Sequence, residues 1–288
     1  MHIPVLKKEV VSVLNLQEND NFIDCTIGSG GHAKEILEKI QPNGKCLGID
    51  FDEKSIENLK EQNIKNLVLK CDNFKDLEGI AKKNSFLDVS GILFDLGISS
   101  VELEESGRGF SFLKNEILDM RFNSKIQKIS AKDIVNSYEK EELEKIIRDY
   151  GQERFYRKIA ENIVKERKMK KIETTFDLVE IIKKSVRGRE RIHFATRTFQ
   201  ALRIAVNDEL NNLKEALPQA LNILNGGGRI AVISFHSLED RIVKNFFKDK
   251  DKEGKIKIIT LKPIEASKEE LKTNIRSRSA KLRAAEKI

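Results

Sequence analysis

The 288-residue sequence lacks the long apolar segments that mark membrane proteins. No apolar run approaches the ~18 residues that a transmembrane helix needs. Residues 1–9 contain no long apolar stretch of the kind found in secretory signals. We therefore expect a cytoplasmic protein that has no membrane partner.

Cysteine is also scarce, and occurs only as Cys25, Cys46 and Cys71. The number is odd, no C-x-x-C pair occurs, and each cysteine falls in or at the end of a predicted strand. This pattern argues against a disulfide framework or a zinc site. It favours buried, reduced thiols at all three positions.

Three common catalytic signatures are absent as well. The sequence has no G-x-x-x-x-G-K-[ST] phosphate loop, no H-E-x-x-H motif or clustered His/Cys set, and no G-x-S-x-G elbow. We therefore expect neither P-loop chemistry nor a catalytic metal.

What the sequence does contain is a glycine-rich loop around which the chain is organised. Residues 24–32 read Asp-Cys-Thr-Ile-Gly-Ser-Gly-Gly-His, after the β-type run 21–23 and before the helix-forming segment 33–38. Glycine allows a ligand to approach the backbone closely, and the helix that follows presents free N–H groups. The pattern predicts a nucleotide-type cofactor loop after a first parallel strand, although glycine-rich turns occur in many folds.

Strand and helix patterns alternate at both ends of the chain. We predict strands at 21–26, 45–50, 66–71, 89–94, 229–234 and 255–260, and an antiparallel edge strand at 280–286. We predict helices at 4–14, 31–40, 53–62, 75–83, 130–136, 140–150, 154–167, 175–186, 196–216 and 238–248. The alternation predicts a parallel, doubly wound α/β sheet. The predicted domains are a sheet domain, formed by 1–110 and 213–288, and an inserted helical domain at 111–212.

Acidic residues stand where three of the predicted strands end. Asp50 can accept hydrogen bonds from ribose hydroxyls, or it can cap the helix that follows. The segment 72–74, Asp-Asn-Phe, offers a polar edge and the Phe74 ring to an adenine, or it forms a turn with a core phenylalanine. Asp95 lies beside the switch point where ligands bind in such sheets, and it can accept a hydrogen bond from an amine.

Further candidates lie outside these strand ends. Arg108, Phe110 and Phe112 share one loop, where an arginine and two aromatic rings suit a flipped-out base, or form a packed hinge. His236 follows the fifth strand and is either a base in the pocket or a structural residue. The candidate phosphate contacts are Arg197, Arg203, Arg276 and Arg278.

Positive charge is concentrated in two segments. Residues 154–203 contain 15 Lys/Arg and 6 Asp/Glu, a net charge of +9, and residues 271–288 contain 6 and 1, a net charge of +5. The whole chain carries a net charge of +7, so the remainder is acidic. Solvated helix faces would explain either segment alone, but two of them beside a cofactor loop favour a nucleic-acid partner.

Taken together, these motifs resemble the bacterial small-subunit ribosomal RNA cytosine-N4 methyltransferases (RsmH/MraW type). The resemblance is nearly end to end and rests on long, ordered motifs. These are His2-x-Pro-Val-Leu, the glycine loop 24–32, Asp95-Leu-Gly-Ile-Ser-Ser, Arg108-Gly-Phe-Ser-Phe with Leu118-Asp-Met-Arg, Tyr150-Gly-x-Glu-Arg-Phe, Ala195-Thr-Arg-Thr-Phe-Gln-Ala-Leu-Arg-Ile, Ile233-Ser-Phe-His-Ser-Leu-Glu-Asp-Arg and Arg276-Ser-Arg-Ser-Ala-Lys-Leu-Arg.

The resemblance implies a class I methyltransferase fold with an inserted helical substrate domain. It implies N4-methylation of a cytidine in the decoding region of 16S ribosomal RNA, with S-adenosylmethionine as cofactor. The partner would be that RNA or the assembled small subunit, and the enzyme a monomer or a dimer. The implied cofactor site is lined by Gly30, Gly31, His32, Asp50, Phe74, Asp95 and Glu102. The family usually has Gln where this chain has Glu102, and Pro where it has Ile117, Phe194 and Ile275.

The chemistry implied by the resemblance is mostly a matter of positioning. The lone pair of the cytosine amine is delocalised into the ring, so the enzyme must extract the base and accept hydrogen bonds from the amine. Asp95 or a nearby backbone carbonyl is the expected acceptor. Two other functions compete with this one: an NAD-dependent oxidoreductase on the same fold, which the missing G-x-G-x-x-G spacing disfavours, and a non-enzymatic ribosome-assembly factor.

Overall fold

The chain forms two compact units in the computed structural model. The first, which we call the sheet unit, comprises Met1–Gly97 and Leu210–Ile288; the second, the helical unit, comprises Ile98–Glu209. The sequence predicted an insert at 111–212. The structure describes residues 4–99, 103, 106–186 and 192–288, so the predicted cofactor contact Glu102 lies outside the described residues.

The sheet unit is built on a seven-stranded sheet with the strand order β3-β2-β1-β4-β5-β7-β6. Its strands are β1 (Phe22–Asp24), β2 (Cys46–Asp50), β3 (Leu67–Cys71), β4 (Val89–Asp95), β5 (Leu224–Ser234), β6 (Ile256–Ile258) and β7 (Lys281–Lys287). The pairs among β1 to β5 are parallel, and β7 is antiparallel to both of its neighbours. The predicted doubly wound Rossmann-like α/β fold is confirmed. The switch point lies between β1 and β4, where the strand order reverses.

The last strand is antiparallel as predicted, but its predicted place at the edge of the sheet is wrong. β7 lies between β5 and β6, and the edge strand is the three-residue β6. Two charged residues of β7 have partners there: Arg283 donates to Asp240 at 2.6 Å, and Glu286 accepts from Arg229 at 2.9 Å. Paired charges of this kind are compatible with a central strand.

Apolar cores cover both faces of the sheet. In β1, Phe22 belongs to one core and Ile23 to the other; in β4, Leu93 and Phe94 divide in the same way. Successive side chains of a strand point to opposite faces, so a strand covered on both sides has a continuous apolar sequence. This is why the sequence located these strands well.

Twelve helices are present among the described residues. They are α1 (Lys7–Leu14), α2 (Gly31–Ile40), α3 (Glu53–Lys60), α4 (Leu77–Lys83), α5 (Ala131–Ser137), α6 (Lys140–Asp149), α7 (Tyr156–Arg167), α8 (Thr175–Ser185), α9 (Thr196–Asn207), α10 (Glu209–Ile223), α11 (Ser237–Lys252) and α12 (Lys268–Thr273). None of them is both long enough and apolar enough to cross a membrane.

The helical unit has a core of its own. The helices α5 to α9 each contribute a fully buried apolar side chain to it, namely Ile134, Leu143, Ile159, Leu178 and Leu202. At roughly 1.5–3 kcal/mol for each buried aliphatic side chain, this core can hold the unit together.

Two predicted boundaries near the end of the helical unit are wrong. The predicted helix at 196–216 is two helices, because Asp208 adopts left-handed backbone angles (φ 50°) and separates α9 from α10. Asp is one of the few residues that tolerate this conformation without a large steric cost. The predicted strand at 229–234 begins earlier, at Leu224, because the glycine run 226–228 extends the strand instead of ending the helix.

The cysteines divide into two classes, which corrects the expectation that all three are buried. Cys25 and Cys46 are buried, and burial raises the pKa of each thiol well above its usual value, whereas Cys71 is exposed. We therefore expect iodoacetamide to label one thiol per folded chain at pH 8, and all three after unfolding. Peptide mapping by mass spectrometry would locate the label. Labelling of Cys25 or Cys46 in the folded protein would contradict the structure.

Candidate cofactor and target site

The glycine loop is held between the ends of two neighbouring strands. The N–H of Cys25 donates to the carbonyl of Leu93 in β4, and the N–H of Ile27 donates to that of Ile49 in β2, each at 2.9 Å. Gly28 has φ +50°, and a Cβ atom there would meet no other atom closer than 3.9 Å. The backbone at Gly28 is therefore open to a ligand.

The glycines predicted to bind the cofactor have a packing role. A Cβ on Gly30 would lie 2.9 Å from Leu59, and one on Gly31 would collide with Pro4. Both positions need glycine because neighbouring side chains approach them closely. Because glycine has no side chain, any contact of these two residues with a cofactor would come from their backbone atoms at the start of α2.

Asp50 fastens the loop to the end of β2. One carboxylate oxygen accepts the N–H of Gly28 at 2.8 Å, and the other accepts that of Asp52 at 2.9 Å. The residue that caps the following helix, α3, is Asp52 and not Asp50, because the carboxylate of Asp52 accepts the N–H of Ser55 at 3.2 Å. Burial raises the pKa of Asp50 to about 6, against the backbone N–H donors of Asp52, Gly28 and Phe51, which lower it. Its predicted contact with a ribose stays a prediction.

Asp95 ends β4 on the other side of the loop. Its N–H donates to the hydroxyl of Thr26 at 2.7 Å, which fixes the strand end against the loop. Its Oδ2 lies 3.6 Å from Nε2 of His32. Its Oδ1 is buried and has no hydrogen-bond partner within the described part of the chain. An unpaired buried carboxylate oxygen is costly, and it suits a ligand that brings a donor.

His32 is the second residue of α2 and is 5% exposed. Neither of its ring nitrogens has a hydrogen-bond partner among the residues that the structure describes. Burial alone would lower its pKa, but the carboxylates of Asp95 and Asp24 outweigh burial, and the pKa of His32 is raised. The ring therefore tends to hold its proton beside Asp95.

Asp24 is the residue of this site to which the sequence assigned no role. It ends β1, is 1% exposed, and accepts the N–H of Thr26 at 3.1 Å. Burial raises the pKa of Asp24 to about 7, against the opposing effect of His32. An acid at the end of an otherwise apolar strand, just before a glycine loop, is the sequence signal that could have identified it.

Asp24, His32 and Asp95, which we call the strand-end cluster, can be tested as a cofactor site. The cluster contains two carboxylates and three buried polar atoms that make no hydrogen bond with the described residues, and Gly28 with its open backbone lies in the same loop. Carboxylates and orphaned polar atoms suit a ligand that carries positive charge and hydrogen-bond donors. S-adenosylmethionine has a sulfonium and an ammonium group, so these residues fit it.

The raised pKa of Asp24 predicts how stability depends on pH. Because the folded state holds a proton on Asp24 that the unfolded chain releases near pH 4, the free energy of unfolding should fall as pH rises from about 4 to about 7. The Asp24→Asn variant has no carboxyl group at this position, so it should lack this part of the fall in the free energy of unfolding. Each unit by which the pKa of Asp24 is raised corresponds to about 1.4 kcal/mol.

Thermal denaturation at pH 5 and pH 8 measures the effect. The melting temperature of Asp24→Asn relative to the natural protein should be higher at pH 8 than at pH 5. Asp88→Asn, which changes an exposed carboxylate before β4, is the control and should show no such difference. If the melting temperature of Asp24→Asn differed from that of the natural protein by the same amount at both pH values, the pKa of Asp24 would not be raised in the folded state.

Phe74 lies at the same edge of the sheet, just after β3. Its ring packs edge-on against Phe94, with 5.6 Å between ring centroids, and it is only partly buried. The backbone N–H of Asp72 donates to the carbonyl of Asp50 at 3.0 Å, which links the ends of β3 and β2. Phe74 therefore packs in the core through Phe94. Because its ring is only partly buried, the predicted contact with an adenine stays possible and remains a prediction.

The residues predicted to stack on a base are packed in the helical unit. Phe110 is 6% exposed and stacks on Phe122, and Phe112 stacks on His193 with 4.5 Å between ring centroids. Arg108 donates to the backbone carbonyl of Phe122 at 2.7 Å. The structure therefore favours the packed hinge, because the face of Phe110 is already covered.

The predicted phosphate contacts differ in how far they are engaged. Arg203 forms a two-pronged ion pair with Glu209, at 2.8 and 2.9 Å, and is largely buried. Its guanidinium is therefore held by a carboxylate. Arg197 lies 3.8 Å from Glu153, Arg276 lies over the Phe235 ring, and Arg278 is exposed.

His236 has the structural role that the sequence left open. It caps α11, where its Nδ1 accepts the N–H of Glu239 and the Glu239 carboxylate accepts the N–H of His236 in return. This reciprocal arrangement is a capping box. The Nε2 of His236 is buried 3.2 Å from a carboxylate oxygen of Glu239 and makes no hydrogen bond with the described residues, so a role in the pocket stays a prediction.

Comparisons with known proteins extend over the whole chain. A family model described as the MraW methylase family matches residues 1–288. The chain is similar to the ribosomal RNA small subunit methyltransferase H of Clostridium botulinum (strain Kyoto / Type A2), with 47% identity over 306 residues, covering 100% of this chain and 99% of that protein. Proteins of the same name from Clostridioides difficile (strain 630) and Caldicellulosiruptor bescii are 44% and 47% identical, with the same coverage.

Proposed function

Because the chain belongs to the MraW methylase family, we propose that it methylates N4 of a cytidine in the decoding region of 16S ribosomal RNA. Membership of a methylase family confirms the methyltransferase activity and the S-adenosylmethionine cofactor that the sequence predicted, and it leaves no support for an NAD-dependent oxidoreductase. Relatives named as small-subunit ribosomal RNA methyltransferases support RNA as the substrate. The proposed place of action is the cytoplasm, on this RNA or on the assembled small subunit.

The observation that carries the proposal is the free carboxylate oxygen of Asp95. Oδ1 is buried at the end of β4, beside the glycine loop, and no described residue donates to it. An exocyclic amine carries two N–H donors, so it matches this acceptor. A ring nitrogen without a proton would leave the oxygen unpaired, which costs about 1–3 kcal/mol.

The bound cofactor supplies a methyl group that its sulfonium centre already activates. The task of the chain is to hold the target amine so that its lone pair points toward that group. In the proposed arrangement Asp95 Oδ1 accepts one N–H of the amine, which turns the lone pair out of conjugation with the ring. His32 stays beside Oδ2 and keeps Oδ1 available for the substrate. Substitution of Asp95 distinguishes this arrangement from one in which a backbone carbonyl accepts the N–H of the amine.

Two measurements test the proposal. Equilibrium dialysis with labelled S-adenosylmethionine should show binding, whereas labelled NAD should not bind. Small ribosomal subunits incubated with the protein and labelled cofactor should then incorporate label that co-elutes with N4-methylcytidine after nuclease digestion. Cofactor binding without transfer to any form of the subunit would favour an assembly factor that only retains the fold.

A further inference from the structure

A surface of the helical unit combines exposed lysines with exposed apolar side chains. It is formed by Lys168, Met169 and Lys171 at the end of α7, with Ile117 and Phe176, and we call it the bridge surface. Of these side chains, Met169 is 86% exposed, Ile117 62% and Phe176 44%. Such a concentration of large apolar groups on a folded unit usually marks an interaction site.

Backbone contacts place the two segments of this surface side by side. Ile117 and Thr174 form an antiparallel bridge, the N–H of Leu118 donates to the carbonyl of Glu173 at 2.9 Å, and the N–H of Thr175 donates to that of Glu116 at 2.9 Å. Backbone hydrogen bonds therefore hold Ile117 next to the start of α8.

The lysine-rich turn is tied to the same place. Lys170 forms an ion pair with Asp177 in the first turn of α8, at 3.1 Å. The turn itself closes through the N–H groups of Met169 and Lys170, which both donate to the carbonyl of Glu166. Lys168 and Lys171 thus belong to a turn that is held against the first turn of α8, which contains Phe176.

Lysines and acids lie together on this surface. Lys170 pairs with Asp177, Glu116 accepts the N–H of Gly109, and Glu173 is a further acid nearby. Lys168 and Lys171 are exposed and have no ion-pair partner within the ranges that the structure describes. Exposed lysines next to apolar groups complement a polyanion that also exposes apolar faces.

We propose that the bridge surface binds single-stranded or loop segments of the substrate RNA, with Lys168 and Lys171 on phosphates and Phe176, Ile117 and Met169 on sugars and bases. This inference rests on the proposed function. Unstacked RNA offers phosphates and π-faces together, which is the combination that this surface complements. An anionic membrane fits less well, because its typical binding element is one amphipathic helix, whereas these apolar groups come from three segments around a turn.

The test compares two double variants that remove the same charge. Lys168→Gln with Lys171→Gln changes the bridge surface; Lys248→Gln with Lys252→Gln changes two exposed lysines of α11 in the sheet unit. The dissociation constant for a small-subunit ribosomal RNA fragment is measured at several salt concentrations. We expect the first pair to weaken binding about tenfold and to reduce the slope of log K against log salt by about 1 to 2, since each phosphate contact contributes about 0.7 to 0.9. The control pair should stay within about twofold.

A third variant separates the apolar contribution from the charge. Phe176→Ser should weaken RNA binding several-fold without changing the salt slope, because no charge is lost. All variants should bind S-adenosylmethionine as the natural protein does, which shows that the sheet unit is intact.

Two results would overturn the inference and leave the proposed function standing. In the first, the Lys168/Lys171 double variant binds the RNA fragment as tightly as the natural protein does, and the enzyme is active. In the second, the same variant loses more affinity for vesicles of phosphatidylglycerol and phosphatidylcholine than for the RNA. Failure of the natural protein to transfer a methyl group to small subunits would instead overturn the proposed function itself.

Discussion

Replacing Asp95 with asparagine should lower the rate of methyl transfer by about 10²–10³-fold, the size of effect seen when one well-placed polar contact to a transition state is removed. The amide is nearly isosteric, but it carries no negative charge and presents one acceptor oxygen in place of two. The attraction between Oδ2 and His32 is lost at the same time, so the side chain can turn its oxygen away from the amine.

The measurement is single-turnover methyl transfer to small subunits at saturating cofactor, together with the affinity for S-adenosylmethionine measured by dialysis. Asp88→Asn at the opposite end of the same strand is the matched control and should retain full activity. Asp95→Asn with natural affinity for the cofactor and natural turnover would show that Asp95 is not the acceptor. The backbone carbonyl would then take its place.

Replacing Gly109 with alanine should unfold the helical unit much more readily than the same change at Gly107. Both glycines have left-handed backbone angles, with φ +75° and +68°, so alanine costs about 1–2 kcal/mol at either position. At Gly109 a Cβ atom would also collide with the backbone carbonyl of Ile117, whereas at Gly107 it would meet no atom of the described residues within 4 Å. Backbone cannot move aside as a side chain can, so the collision should add about 1–3 kcal/mol.

Hydrogen exchange of the α5 to α9 amides measures this difference within the helical unit. Gly109→Ala should accelerate exchange there several times more than Gly107→Ala, and neither should affect β1 to β4. Equal protection in the two variants would mean that the approach of Gly109 to Ile117 is not a rigid contact.

The strands and the site on them could be predicted from sequence because their signals are local. A parallel strand buried on both faces is a continuous apolar run, and its carboxyl end is where the run stops at a polar residue. Asp50 and Asp95 satisfy this rule, and the parallel order of β1, β2 and β4 brings their ends to one edge.

The errors arose where the outcome depends on contacts far apart in the chain. The place of β7 depends on ion pairs of Arg283 and Glu286 with residues about 40 to 60 positions away, which no local pattern reveals. The break at Asp208 depends on a backbone angle that a helical pattern conceals. The partners of Phe110 and Arg203 inside the helical unit, Phe122 and Glu209, were likewise not evident from the sequence, and the predicted RNA contacts of both residues stay predictions.

Asp24 was missed for a different reason. Its sequence context shows an acid before a glycine loop, but only the fold shows that it is almost completely buried beside His32. Burial raises the pKa of this carboxyl to about 7, and that perturbation makes it a member of the site.

Mass spectrometry of nucleosides from small-subunit ribosomal RNA, taken from cells with and without this protein, measures the proposed modification itself. N4-methylcytidine should be lost from the decoding region when the protein is absent, should return with the natural protein, and should not return with Asp95→Asn. An unchanged amount of N4-methylcytidine in cells without the protein would show that the protein does not make this modification.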